Sequence, residues 1–228
     1  RDGADEALAE PELRVVADAK LALEALEREL AKLDLSKRRQ ARPLLERQIS
    51  EGLKAHADEV ARLVPMDKTP VRPERIMADL DSLLTESDIV VADASYSSVW
   101  VANFLTAREP GQRFITPRGL AGLGWGLPYA IGAKVARPDA RVVGLVGDGG
   151  FAHVWSELET SRRMGLPVTL IVLNNQILGY QKHAEKVIWG DYTDVVDFAA
   201  VDHALIAQAC GLNGIRVETP DDLRPALE

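Results

Sequence analysis

From residue 73 onward the chain alternates short apolar runs with segments of helical periodicity. The runs are "DIVVAD" (88–93), "RVVGLV" (Arg141 to Val146), "VTLIVL" (Val168 to Leu173) and "GIRVE" (Gly214 to Glu218). They are apolar rather than alternating, as expected of parallel strands covered on both faces, and the intervening segments supply the covering helices. A helix is predicted over Glu74 to Leu84, with Pro73 near its N1 position, and another over "FAHVWSELETSRRM" after a tight Gly147-Asp148-Gly149-Gly150 turn. The pattern predicts an α/β fold: a doubly wound parallel sheet with helices on both faces.

The first third reads differently. "LRVVAD" (Leu13 to Asp18) has the β-branched run of a strand, and Leu23, Leu26, Leu30 and Leu33 then recur at helical spacing. Leu45, Ile49, Leu53, Val60 and Leu63 mark a second amphipathic helix, which Pro43 is expected to start. Pro65, Pro70 and Pro73 favour an extended linker, so a boundary is expected near residue 66, separating residues 1–65 from a domain of residues 66–228.

Composition narrows the function classes. The chain has 228 residues and a formal net charge of −8, which argues against a nucleic-acid surface. Its longest uncharged run, Gly119 to Ala133, is glycine-rich and shorter than the roughly 20 residues that span a bilayer, so no membrane segment is expected. The single cysteine, Cys210, excludes an internal disulfide framework; it reads as a structural thiol in a reducing, cytoplasmic setting. The chain begins Arg1-Asp2 and stops in a helical pattern, "DDLRPALE", so a fragment of a longer chain, truncated at its C-terminus, is expected.

In doubly wound sheets ligands bind beyond the carboxyl ends of the strands, near the point where strand order reverses. Three such ends carry polar chemistry: Asp93 to Ser98, Gly147 to Phe151, and Asn174 to Gly179. Glycines at 147, 149 and 150 let backbone approach a ligand, and free amides before a helix suit an anion such as phosphate. Asp148 would repel phosphate unless a cation stands between them. Mg²⁺ fits, because it takes oxygen ligands and bridges protein side chains to phosphates. Asn175 ends the next strand, and its amide oxygen could be a second ligand, with the Ile177 carbonyl a third. A dinucleotide fingerprint would need a glycine at Ala152 and is set aside.

"GDG", followed 27 residues after its aspartate by the second asparagine of "LNN", resembles the signature of thiamine diphosphate enzymes. "PRGLAGLGWGLPYAIGAKVARPDARVVGLVGDGGF" is similar to the corresponding segment of acetolactate synthases and their relatives. "VVADAKLALEAL" looks like the end of that family's middle domain. The resemblance implies a thiamine diphosphate-binding fold preceded by a short α-helical remnant of a middle domain.

Carried over residue by residue, the resemblance makes Asp148, Asn175 and Ile177 the Mg²⁺ ligands. It places Gly147, Gly149, Gly150 and Phe151 at the diphosphate, with Leu178 and Gly179 beside them. Many relatives have Ser at the position of Gly150. Ser95, Tyr96, Ser97 and Ser98 are further diphosphate candidates. Leu123 aligns with the bulky apolar residue that props the cofactor in its bent form, flanked by Gly122 and Gly124, which let backbone reach the aminopyrimidine. Gln181 and His183 could face the substrate. Ala184 stands where acetolactate synthases have a tryptophan, a departure from the specific acetolactate pattern.

The implied function is making or breaking carbon–carbon bonds next to a carbonyl. A pyrimidine-binding domain would come from another part of the full chain or from a neighbouring subunit, in a homodimer or homotetramer. Several relatives also hold a flavin (FAD) in the middle domain. The alternative is a non-catalytic or regulatory cofactor-binding subunit whose partner chain supplies the chemistry.

Overall fold

The computed structural model describes residues 15–64 and 68–228. Contacts divide the chain into two compact units, Arg1–His56 and Ala57–Glu228. The boundary expected near residue 66 falls on 65–67, outside the described residues.

The first unit contains α1 (Ala19–Leu30) and most of α2 (Ser36–Leu63). Asp18 caps α1 by accepting a hydrogen bond from the Leu21 amide at 3.1 Å. Two expectations need correction. Residues 15–18 form no strand, although Val15 and Val16 are β-branched, because no neighbouring strand pairs with them; Leu13 and Arg14 lie outside the described residues. The second helix starts at Ser36 rather than Pro43. One missing amide costs one hydrogen bond in 28 residues, and a segment rich in Ala, Leu, Arg, Lys, Gln and Glu carries the helix through it. Neither helix buries a residue.

The second unit is built on a four-stranded, fully parallel sheet in the order β2-β1-β3-β4. The strands are β1 (Ile89–Ala92), β2 (Arg113–Ile115), β3 (Val142–Gly147) and β4 (Thr169–Leu173). Around it run α3 (Pro73–Leu83), α4 (Tyr96–Phe104), α5 (Gly126–Ala136), α6 (Asp148–Ala152) and α7 (Glu157–Met164). These are followed by α8 (Gly179–Trp189), a 3₁₀ turn at Asp194–Val196, α9 (His203–Ala209) and α10 (Pro220–Leu227). Met77, Leu80 and Val101 of α3 and α4 pack on one face of the sheet against Val90, Ala92, Val143 and Leu145. Ala130 of α5 packs on the other face with Val91 and Val142, and Leu127, Phe151 and Leu158 close over Val146. The expected doubly wound sheet with helices on both faces is therefore observed. The connections leave β1 in one direction to β2 and return on its other side to β3, so the strand order reverses between β1 and β3.

Three local features differ from the sequence reading. β2 has only three residues, too few to show periodicity, and exists because Arg113 to Ile115 pair with Ile89 to Val91. Gly214 to Glu218 forms no strand: it lines a cavity of about 760 Å³ together with Leu170 and Val172 of β4, and makes no ladder with them. There, Gln208 donates to the Gly214 carbonyl and Arg216 pairs with Asp202 and Glu218, so local side-chain bonds take the place of strand pairing. Finally, the Gly-Asp-Gly-Gly stretch is not a turn before a helix. Asp148 already begins α6, and from His153 to Glu159 the chain runs on through i→i+3 hydrogen bonds into α7.

Among the described residues, no helix is long and apolar enough to cross a membrane. Cys210 is free and partly buried against the Phe151 cluster, as expected of a structural thiol.

Candidate functional site

The carboxyl ends of β1, β3 and β4 carry the candidate residues, on the side of the sheet where ligands bind in this architecture. Each end has a distinct local device. After β1 the backbone turns through Ser95 at φ 70°, a left-handed conformation unusual for serine, and enters α4 at Tyr96. Ser98 Oγ donates to the Ser95 carbonyl at 2.9 Å and steadies this turn. Ser97 and Ser98 are buried, and Ser97 Oγ lies 4.0 Å from where a side chain on Gly147 would begin. The ends of β1 and β3 are therefore adjacent through Ser97 and Gly147.

Asp148 links β3 to β4. It is only 5% exposed; Oδ1 accepts from the Gly149 amide at 2.8 Å and Oδ2 from the Gln176 amide at 2.6 Å. The second bond spans 28 residues and sets Asp148 beside the Asn175–Gln176 peptide. Gln176 itself has φ 60°, so the loop after the asparagines is folded tightly back. Asn175 is exposed; its Oδ1 accepts from the Ile177 amide at 3.3 Å, and the Ile177 carbonyl accepts from Gly179 at 2.9 Å. A side chain on Gly179 would begin 3.4 Å from both Asn175 Nδ2 and the Tyr96 ring, which brings the β1 and β4 ends together as well.

The loop after the asparagines is clamped by residues that the sequence did not single out. Leu178 donates to the Val196 carbonyl and Phe198 to the Gln176 carbonyl, both at 2.8 Å. Gly149 faces this clamp: a Cβ there would stand 2.6 Å from Leu178 and 3.0 Å from the Phe198 ring. Gly149 is thus required for helix-to-loop packing, and its amide is engaged by Asp148. Phe151 is buried in the core beneath, with its ring edge-on to His203.

Leu123 is 36% exposed, between Gly122 and Gly124. Gly124 has φ 89°, and its amide donates to Asp93 Oδ2 at 3.0 Å. Asp93, wholly buried at the end of β1, also accepts from Ala94 and Trp125. It stood inside a strand end read from sequence, but nothing local marks it, because its two remote partners lie 31 and 32 residues away.

Gln181 and His183 are exposed on α8. Gln181 Nε2 donates to Glu185 at 2.9 Å, and Glu185 accepts in turn from the Thr193 amide and hydroxyl. The Gln181 and Thr193 hydrogen bonds hold the Glu185 carboxyl below the usual carboxylate range. Among the described residues, no hydrogen bond joins Gln181 or His183 to Asp148, Asn175 or Leu123.

The donor set of Asp148, Asn175 and Ile177 is one carboxylate, one amide oxygen and one peptide carbonyl. Each oxygen accepts a hydrogen bond in the structure, and each such oxygen has a further lone pair. An all-oxygen set with one charge suits Mg²⁺ shared with an anionic ligand. Among the described residues, no group of three or more His, Cys, Asp or Glu could hold a metal by itself. The 760 Å³ cavity runs along β4 and includes neither Asp148 nor Asn175 in its lining.

Comparison with known proteins identifies the family. Residues 93–228, more than half of the chain, match the family model described as "Thiamine pyrophosphate enzyme, C-terminal TPP binding domain". The chain is 30% identical over 223 residues to acetolactate synthase of Bacillus subtilis (strain 168), covering 96% of this chain and 37% of that protein. It is 32% identical over 234 residues to the chloroplastic acetolactate synthase 2 of Nicotiana tabacum, covering 96% and 33%. Among solved structures, the thiamine diphosphate-dependent 4-hydroxybenzoylformate decarboxylase of Rhodococcus jostii RHA1 superposes with a TM-score of 0.64 at 27% identity, over 70% of this chain and 31% of that one. The chain thus spans about a third of the length of these relatives. Together, the parallel sheet, the paired strand-end motifs and these matches show that the chain belongs to the thiamine pyrophosphate enzyme family and carries its C-terminal cofactor-binding domain.

Proposed function

We propose that the chain supplies the diphosphate-holding part of a thiamine diphosphate- and Mg²⁺-dependent enzyme that makes or breaks carbon–carbon bonds next to a carbonyl, as in decarboxylation or carboligation of 2-oxo acids. The observation that carries this reading is Asp148, a buried carboxylate bound at once to its own helix and to the amide following Asn175. A buried carboxylate of this kind, at the end of β3 and beside the reversal of strand order, suits holding a cation against an anion.

In this reading Asp148, Asn175 and the Ile177 carbonyl hold Mg²⁺. Gly147, Gly150 and the turn from Ser95 to Ser98 receive the diphosphate, and the first turn of α4 offers amides of the right polarity. Leu123 bears on the ring portion, with Gly122 and Gly124 leaving room for backbone contact. Gln181 and His183 belong to the substrate side, Gln181 being oriented by Glu185. When bound, thiamine diphosphate supplies the nucleophilic carbon and the electron sink for the carbon–carbon step. The protein's share is to orient, to neutralise charge and to exclude water. A pyrimidine-binding domain from elsewhere in the full-length chain or from a neighbouring subunit completes the site, in a cytoplasmic homodimer or homotetramer.

Calorimetry on the full-length protein tests this. Thiamine diphosphate should bind only with Mg²⁺ present, and Asp148→Ala should weaken binding by about 10-fold to 100-fold, as losses at metal sites do. Binding that ignores Mg²⁺, or that survives Asp148→Ala unchanged, would sink the reading. Turnover of pyruvate by the intact enzyme is the next measurement.

A further inference from the structure

Asp93 stands where three segments meet. It ends β1 with no exposed surface, and its two oxygens accept three main-chain amides: Ala94 at 2.8 Å and Trp125 at 3.2 Å on Oδ1, Gly124 at 3.0 Å on Oδ2. The Trp125 and Gly124 bonds tie down a stretch that otherwise has little to hold it. Leu120 is 98% exposed, Ala121 has φ 48°, and no regular element runs from residue 116 to 125. The third segment is α6. A Cβ on Gly150 would lie 2.3 Å from Asp93 Oδ2 and 3.2 Å from its carboxyl carbon. The carboxylate therefore fills the space that any side chain at position 150 would need.

We propose that Asp93 is a positioning residue for the cofactor crevice. It fixes the Gly122–Leu123–Gly124 stretch against the first turn of α6, where Gly150 leaves the space that its carboxylate fills. The inference rests on the proposed function, since it concerns the approach of the Leu123 loop to a bound thiamine diphosphate. Asp93 acts through the loop, by settling before binding the conformation that binding would otherwise have to order. Its two oxygens match three donors, which fixes the shape required at this position. Asparagine keeps one acceptor oxygen but turns an NH₂ group towards one set of amides, so it satisfies only part of the arrangement. Alanine satisfies none, leaving the Ala94, Gly124 and Trp125 amides without this partner. A methyl group on Gly150 must displace the carboxylate and so reaches the same loop from the other side.

The test uses the full-length protein and the variants D93A, D93N, G150A and D93A/G150A. Three quantities are measured: affinity for thiamine diphosphate with magnesium chloride, amide hydrogen exchange across residues 119–127 without cofactor, and the melting temperature without cofactor. D93A should weaken binding about tenfold or more and speed exchange at Gly124 and Trp125, with D93N between it and the unaltered protein, and G150A should speed exchange at the same two amides. The double variant should bind no worse than D93A alone, because the group that the new methyl would strike is gone.

Unaltered affinity in D93A overturns the inference. So does a lowered melting temperature with affinity and loop exchange unchanged, which would make Asp93 purely structural, or a double variant that loses the full product of the two single effects. If D93A does not fold, D93N decides by the same criteria. Failure of the unaltered protein to bind thiamine diphosphate overturns the proposed function and this inference together; intact binding that is indifferent to position 93 overturns this inference alone.

Discussion

At the scale of single residues, the site region is governed by side chains whose partners are main-chain amides rather than opposite charges. Asp148 and Asp93 are both of this kind. His203 is the contrasting case. It packs edge-on to Phe151, and its Nδ1 is buried without a hydrogen-bond partner. Burial pushes its pKa below the ordinary value of 6.5, and the nearby charges of Asp148 and Asp202 only partly oppose this. A folded-state pKa lower than the unfolded one means that the unfolded chain takes up the proton first. His203 therefore contributes stability fully above about pH 6.5, and that contribution is lost as pH falls through the folded-state value. Urea denaturation between pH 8 and pH 5 should show this loss, and His203→Phe should remove that component. At pH 8 the variant should stay within about 1 kcal/mol of the parent, since it deletes an unsatisfied polar atom and keeps the ring stack. A variant as acid-sensitive as the parent would refute the assignment.

At the scale of elements, what could be read in the sequence follows the range of the interactions that made each one. β1 and β3 were legible because burial on both faces forces an unbroken apolar run, β4 because its run is equally apolar although only partly buried, and α3 because Pro73 sits at its N1 position. β2 and the 214–218 segment were misjudged because a short strand depends on whether a partner edge is available, which is a tertiary fact. The site divided in the same way. Asp148 and Asn175 sit in recognisable local patterns, whereas Asp93, Val196 and Phe198 matter only through contacts made far along the chain. Asp88 and Arg141 show the same dependence, lying 53 residues apart at the amino ends of β1 and β3. Burial alone would raise the Asp88 carboxyl, but hydrogen bonds from Arg141 and Thr85 outweigh it and hold the pKa below the usual value. The stability it contributes is thus present at neutral pH and lost as pH falls through that lowered value. Arg141→Ala leaves the buried Asp88 with Thr85 in place of a charged partner, and also releases the Leu83 carbonyl. Because Arg141 is itself part-exposed, the expected loss is moderate, roughly 1–3 kcal/mol by urea denaturation at pH 7. A change below about 0.5 kcal/mol would show the pair to be incidental.

At the scale of the whole chain, the core that the described residues form lies in one unit. Every buried hydrophobic residue among those described lies between Met77 and Leu223, in the unit Ala57–Glu228. α1 buries nothing and leaves Leu23 and Leu26 more than half exposed, and along α2 Leu45, Ile49 and Leu53 are likewise exposed. Apolar surface stabilises a fold only when it is removed from water, so these side chains add little burial within the first unit. Residues 57–228, in contrast, have a core on each face of a four-stranded sheet and are within the usual size of an independent domain. Deleting residues 1–56 should therefore leave the thermal midpoint within about 4 °C, the shift that roughly 1 kcal/mol produces in a domain of this size. The far-ultraviolet helical signal should fall with the loss of α1 and most of α2. Differential scanning calorimetry of the two lengths decides the matter: a drop of more than about 10 °C on deletion would mean that the first 56 residues are integral to the fold of the second unit.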